Sequence, residues 1–357
     1  MSVSSDPRSL AGLPRAPLRI ASRGGRVVPG LAAAAAVAAV ALPLGGLAPR
    51  IGAPIIALAL GMAIATVVPS AGINGLAPTS RYSLQVAIVM LGATISLPEV
   101  ARVGVSSLPV MLGSLAAALI SASVIGRRLG VPERLRVLIG VGTGICGASA
   151  IATVSGAIDA RASEIRYAVS TIFAFNLAAV LLFPMLGHLL GLSSHAFGLW
   201  SGTAVNDTSS VVAAGFAYSH AAGTYAVIVK LTRTTMIIPI ALFLASRTLR
   251  ARGADAGTTG DTTIAAPVSL RRVMPWFLIW FLLASAANSL GLFGHAAITG
   301  FSHVGLALTT VALGAVGLSS NLGELRRAGT RPLALGALVW ATVAVTSLAL
   351  QALTGSL

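Results

Sequence analysis

Long apolar runs separated by short, arginine-bearing polar segments make up nearly the whole of this 357-residue chain. The runs cover approximately residues 28–44, 51–68, 82–97, 105–126, 137–155, 167–190, 198–217, 223–246, 273–291, 303–320 and 332–351. Most approach the ~20 residues a helix needs to cross a bilayer. The pattern predicts an all-α polytopic membrane protein with ten or eleven transmembrane helices, residues 28–357 forming one transmembrane domain. Two stretches fall outside the pattern. Residues 1–27, rich in Ser, Pro, Gly and Arg, read as a disordered basic cytoplasmic tail, because the run that follows leads into further spans and no cleavage site stands out. Residues 252–269, rich in Gly and Thr, read as a flexible cytoplasmic linker between two bundles of spans.

Charge orients the runs. With the basic tail inside and strict alternation, the segments 127–136, 247–272 and 321–331, each with at least three arginines, fall on the cytoplasmic side, as the positive-inside rule requires. The C-terminus is then extracytoplasmic. One loop disagrees: 156–166 carries Arg161 and Arg166 but lands outside, where Asp159 and Glu164 balance them. A broken or re-entrant helix over 137–155 would account for it.

Composition narrows the classes. The chain is 56% hydrophobic and 9% charged, against about 45–50% and about 25% for a soluble domain. The formal net charge of +15 sits in loops rather than on a basic, aromatic-bearing surface, which argues against nucleic-acid binding. A single cysteine, Cys146, excludes an intramolecular disulfide and a cysteine-built metal site, and the five histidines lack metal-ligand spacing. No cofactor motif and no nucleophile–base pair is visible, so an enzyme is not expected.

Three polar elements stand out within apolar flanks. Gly140–Gly156 (GVGTGICGASAIATVSG) is dense in glycine and hydroxyls. It reads either as an unwound segment whose freed amides face an anion, through Gly144, Cys146, Gly147 and Ser149, or as tight packing through small residues. Gly202–Gly215 (GTAVNDTSSVVAAG) carries Asn206 and Asp207. Asp207 reads as a proton carrier, a cation ligand, or a partner for the cations that follow. Lys230 and Arg233, at i and i+3, share one helix face and offer a place for an anion, with snorkelling to an interface as the alternative. Ionisable groups at membrane depth are costly and usually face a partner, cavity or pathway.

Weak internal echoes favour a duplicated transporter. Gly144-x-x-Gly147-x-Ser149 recurs as Gly314-x-x-Gly317-x-Ser319, in the fifth and tenth runs. If the first run is an extra, each lies in the fourth helix of a five-helix repeat, the two repeats being inverted.

At these residues the chain resembles a known family. Gly144-Ile-Cys-Gly-Ala-Ser-Ala-Ile151, the stretch from Gly202 to Gly215, Val229-Lys-Leu-Thr-Arg233, and Val316-Gly-Leu-Ser-Ser320 followed by Ala328-Gly-Thr-Arg-Pro332 are similar to the YeiH family, bacterial inner-membrane proteins often labelled sulfate exporters. The resemblance covers roughly residues 30–357. It implies the inverted-repeat architecture of bile-acid and sodium–proton transporters, with two crossed discontinuous helices. The chain departs from the family at one place: several members carry a His-Glu pair followed by Gln where Asn206-Asp207 and Ser210 stand here. The acidic position is kept and the histidine is lost.

The expectation is a bacterial inner-membrane secondary transporter exporting a small anion such as sulfate, sulfite or an organosulfonate. Asn206, Lys230, Arg233 and the Gly144–Ser149 segment would bind substrate, Asp207 would couple H+ or Na+, and Gly314, Gly317 and Ser319 would lie on a second crossing helix. The alternative is a sodium or cation/proton exchanger centred on Asp207. The sequence leaves room for a homodimer and names no protein partner.

Overall fold

The computed structural model describes residues 27–47, 52–67, 73–244, 246, 276–319 and 330–357. The tail through Arg26 and the linker at 252–269 lie outside the described residues. Over its described residues each of the eleven apolar runs is mainly helical. In chain order the helices are α1 (Val28–Leu47), α2 (Ala53–Val67), α3 (Leu76–Gly92), α4 (Leu97–Arg128), α5 (Glu133–Gly144), α6 (Ala148–Ala157), α7 (Ala162–Leu189), α8 (Ser194–Ala204), α9 (Thr208–Tyr218), α10 (His220–Thr234), α11 (Trp276–Ser289), α12 (His295–Ser319) and α13 (Thr330–Thr354). After a turn at Thr235–Met236, helix resumes over 237–244. Among the described residues six segments are long and apolar enough to cross a membrane: α1, α4, α7, His220–Leu244, α12 and α13.

Two runs are each split into a pair of short helices that turn back on themselves. In the seventh run, the start of α8 lies beside the end of α9. Ser194 Oγ and Ser219 Oγ are 2.9 Å apart, the Tyr218 hydroxyl donates to the Leu192 carbonyl, and the Phe197 and Tyr218 rings stack at 4.0 Å. The helices flanking α10 agree. Gly198 and Gly202 of α8 meet Ala222 and Ala226 in parallel order, whereas Gly215 of α9 meets Gly223. α8–α9 is therefore a re-entrant hairpin with its tip at Val205–Asp207.

The fifth run behaves in the same way from the opposite face. α13 begins beside the end of α4, with Arg331 near Gly130 and Leu335 near Gly126, and reaches Gly113 at Leu350. α7 runs alongside in the same direction, Thr171 and Phe175 at Gly336 and Phe183 at Trp340, and ends where His188 stacks on Tyr218. α7 thus starts on the face where α5 starts, and the short connection 158–161 obliges α6 to return there. Within the hairpin, Ile151 of α6 packs back on Gly142 of α5.

Eleven runs therefore do not make eleven crossings. Among the described residues two of the runs are hairpins, and they enter the bundle from opposite ends. Local sequence fixes the turns. Ser96, Ser193 and Ser219 accept the amides of Glu99, Ala196 and Ala222, capping α4, α8 and α10. Glu164 accepts the Arg161 amide at 2.7 Å where α6 hands over to α7.

The expected second crossing helix at Gly314, Gly317 and Ser319 is not found. α12 is unbroken through all three, and the second break lies in the seventh run instead. The glycines serve contact: a Cβ on Gly317 would lie 2.4 Å from the Leu58 carbonyl oxygen and 3.0 Å from Gly61 Cα. Ser319 Oγ returns to the Ala315 carbonyl at 2.7 Å. A helical glycine whose backbone stays hydrogen-bonded lets a neighbour approach without breaking the helix.

Candidate functional site

The two hairpin tips meet. At the first, the chain leaves α5 through Ile145 and Cys146 and enters α6 at Gly147, whose φ of 67° is a left-handed conformation natural to glycine. A Cβ there would stand 3.4 Å from Asp207 Cβ and 3.5 Å from Asp207 Cα, so the second tip lies directly against it. Gly147 offers α6 no side-chain cap, and Cys146 accepts from the Ala150 amide in the first turn of α6.

The second tip is held from several directions. The Asp207 amide donates to Asn176 Oδ1 of α7 at 3.2 Å. The Asp207 carboxylate caps α9, accepting the Ser209 amide at 3.0 Å and the Ser209 hydroxyl through the same oxygen. Lys230 of α10 donates from Nζ to the Val205 carbonyl at 2.8 Å, satisfying an acceptor at the end of α8. Farther out, Thr203 Oγ1 and Ser347 Oγ are 2.6 Å apart, and Trp200 Nε1 donates to Ala344 O, which ties α8 to α13.

Lys230 and Arg233 are both fully enclosed, at 0% exposure. Their environments differ. Lys230 has its bond to the tip, whereas Nε, NH1 and NH2 of Arg233 all lack a hydrogen-bond partner. The buried Asn206 amide is likewise unbonded at both Nδ2 and Oδ1, as is Thr143 Oγ1 in the last turn of α5. Cys146 and Lys230 each lie within electrostatic reach of Asp207 and Arg233. An isolated buried guanidinium is among the most expensive groups a protein can hold. Here it sits one helical turn from a second cation, Lys230, and the two together are donors suited to an oxyanion.

Of the residues singled out from sequence, Cys146, Gly147, Asn206, Asp207, Lys230 and Arg233 come together. Gly144 stands one turn back, where a Cβ would press on Leu115 and Ala118 of α4 at 2.8 and 3.3 Å. Ser149 is exposed on α6. Gly314, Gly317 and Ser319 lie away from the tips, with Gly314 and Gly317 against α1 and α2. Two members of the constellation were passed over. Asn176 reads from sequence as a bundle hydrogen bond, and it holds the Asp207 backbone. Thr143 had only its place in a glycine-rich run to mark it. Among the described residues no group of three His, Cys, Asp or Glu side chains is placed to hold a metal ion.

A family model described as "Conserved hypothetical protein 698" matches residues 29–336. A UPF0324 membrane protein of Streptococcus agalactiae is 36% identical over 344 residues, covering 92% of this chain and 98% of the relative. Its counterpart in Streptococcus pyogenes serotype M6 is 40% identical over 335 residues, covering 91% and 97%. One from Clostridium tetani is 38% identical over 307 residues, covering 84% and 89%. The match spans both hairpins and the Lys230–Arg233 helix, and the chain is a multi-pass membrane protein that belongs to the UPF0324 family, the YeiH family of its sequence motifs.

Proposed function

We propose that the protein is a secondary transporter of a small oxyanion, held where the two hairpin tips meet. The observation that carries this reading is Arg233: fully buried, with all three guanidinium nitrogens unbonded. An oxyanion accepts from such a fork bidentately. Lys230 adds charge, and the unbonded Asn206 amide is a further donor. Sulfate, sulfite and organosulfonates are the candidates, with export as the direction. No chemical step is required of any residue, so the reading is of a carrier and not an enzyme.

Opposed hairpins with touching tips suit alternating access, because either one, by withdrawing, opens the site to its own face. Asp207 anchors the second tip: its carboxylate accepts from Ser209 and its backbone amide donates to Asn176 of α7. Protonation or a sodium ion at that carboxylate would loosen the tip, which is how a coupling ion would act here. For sidedness, the face on which α1, α5 and α7 begin carries Arg127, Arg128, Arg134, Arg136, Arg161 and Arg166, and is assigned to the cytoplasm. The C-terminus then lies outside. The cell membrane is its place, and a second copy is compatible with the lipid-facing surface.

Counterflow of labelled sulfate and sulfite in proteoliposomes tests this. Wild-type protein is expected to exchange label with one of them, and Lys230→Met is expected to abolish exchange while inserting normally. Exchange untouched in Lys230→Met would remove the anion site. A sodium- or pH-driven flux that needs Asp207 but not Lys230 would make the protein a cation exchanger.

A further inference from the structure

Arginines from three helices gather at one corner of the face on which α5 begins. Arg127 and Arg128 end α4, Arg134 and Arg136 lie in the first turn of α5, and Arg331 opens α13. The turn between α4 and α5 brings them together. Gly130 takes φ 65° in it, and the Val131 amide returns to the Gly126 carbonyl at 2.9 Å. A Cβ on Gly126 would meet the Arg136 stem at 2.5 Å, and one on Gly130 would lie 3.6 Å from Nη1 of Arg331, which reaches over from α13. All of these arginines but Arg136 are exposed. Among the described residues Glu133 is the only acid at these three helix ends, and none of the guanidiniums has a hydrogen-bond or ion-pair partner. Elsewhere on the same face the described arginines are not gathered in this way: Arg161 and Arg166 stand with Asp159 and Glu164, and Arg81 is the only charged residue of α3. Like charges held together without counter-ions make a local field that an anion relieves.

The helices leading to the corner indicate what kind of anion. Leu112, Ala116, Ile120 and Val124 follow one another at i+4 along the exposed side of α4, and Arg128 is the next position on that side. From Leu112 to Val124 the stripe runs about 18 Å, more than half of a hydrocarbon core of about 30 Å. On α13 the exposed positions Ala334, Leu338, Ala341 and Val345 lead away from Arg331 in the same manner. On both helices an exposed apolar stripe ends in an unpaired guanidinium. A water-soluble anion would engage the arginines and leave the stripes unused, whereas a lipid with an anionic head engages both. We infer that the corner formed by the α4–α5 turn and the start of α13 is a binding site for an anionic phospholipid. Arg128 and Arg331 take its phosphate from either side of Gly130, and an acyl chain lies along the α4 stripe. None of the residues of the proposed anion-transport site takes part, so the two readings stand or fall separately.

The test uses the full-length protein in neutral detergent and sulfate-free, low-salt buffer, titrated with phosphatidylglycerol, with phosphatidylcholine and with inorganic phosphate. Binding is read from the rise in unfolding temperature, each variant being referred to its own value without lipid. Phosphatidylglycerol is expected to bind more than about 25-fold tighter than phosphatidylcholine, and inorganic phosphate to give no response. Arg128→Gln with Arg331→Gln is expected to weaken phosphatidylglycerol by about 25-fold, about fivefold for each charge removed, and to leave phosphatidylcholine unchanged. Arg81→Gln with Arg166→Gln, which removes the same charge from the same face, is expected to change phosphatidylglycerol by less than about twofold. Equal binding of the two lipids to wild type would overturn the inference. So would an equal loss in the two double variants, which would make the attraction a property of the whole face and not of the corner. A response to inorganic phosphate that matches phosphatidylglycerol and vanishes without Arg128 and Arg331 would make the corner a site for a free anion and overturn the lipid assignment.

Discussion

Arg233 is enclosed on all sides with none of its guanidinium nitrogens bonded, a state that costs the empty protein several kcal/mol. A residue kept for stability would not be left in that condition; a residue kept for a ligand would. The two roles separate under mutation. Arg233→Leu is expected to raise the unfolding temperature in anion-free buffer, by a free energy on the order of 1–4 kcal/mol, and to lose anion-dependent stabilisation and transport together. Thermal unfolding with and without anion checks both halves. A variant that is less stable in anion-free buffer would mean the guanidinium is satisfied within the fold. Gly147 is a second position where one atom matters. Gly147→Ala adds a Cβ at φ 67° and ψ −132°, a backbone region open essentially to glycine, against the second tip. Holding an alanine there costs on the order of 1–3 kcal/mol. Transport is expected to fall well below half of wild type with normal membrane insertion, as measured by counterflow against protein amount.

At the level of elements, the hairpins are what the site depends on, and α8–α9 can be tested by a single bond. Ser194 and Ser219 touch across its open end, and no other described cysteine exists once Cys146 is replaced. In a Cys146→Ala background, Ser194→Cys with Ser219→Cys is expected to form an intramolecular disulfide on mild oxidation. If α8–α9 crossed the bilayer instead, the two positions would be a membrane apart and no such bond could form. Element boundaries show which features the sequence expressed. All eleven runs became helix, because long apolar stretches have few alternatives in a bilayer. The break in the fifth run was legible from its glycines, since Gly147 occupies a conformation other residues avoid. The break in the seventh was less so: Asn206-Asp207 reads as polar cargo within one apolar run, and only the structure shows Asp207 acting as the cap of a new helix. The tenth run misled in the opposite direction. Its Gly-x-x-Gly matches the fifth, yet Gly314 and Gly317 remain helical because α1 and α2 pack against them. Glycine spacing alone does not distinguish a break from a close contact.

At the scale of the whole molecule, the hairpins settle a difficulty that counting spans had created. Strict alternation of eleven crossings put Arg161 and Arg166 on the face opposite Arg127, Arg128, Arg134 and Arg136, against the distribution of positive charge. With α5–α6 turning back, the connection between α6 and α7 returns to the face of the other arginines, and with α8–α9 turning back the direction of every later helix is restored. Parity at the C-terminus is the same in both schemes, so the ends of the chain do not discriminate between them; the loop at 156–166 does. In intact cells carrying a Cys146→Ala protein, a membrane-impermeant maleimide is expected to leave Arg128→Cys and Arg161→Cys unlabelled until the cells are opened, and to label Ser193→Cys and Leu292→Cys at once. Labelling of Arg161→Cys from outside, with Arg128→Cys still protected, would mean that α6 exits on the far face. The two tips would then not enter from opposite sides, and the opposed-hairpin account of access would fail even if Lys230 and Arg233 bind an anion. Protection of both arginine positions would fix the cytoplasmic face by experiment.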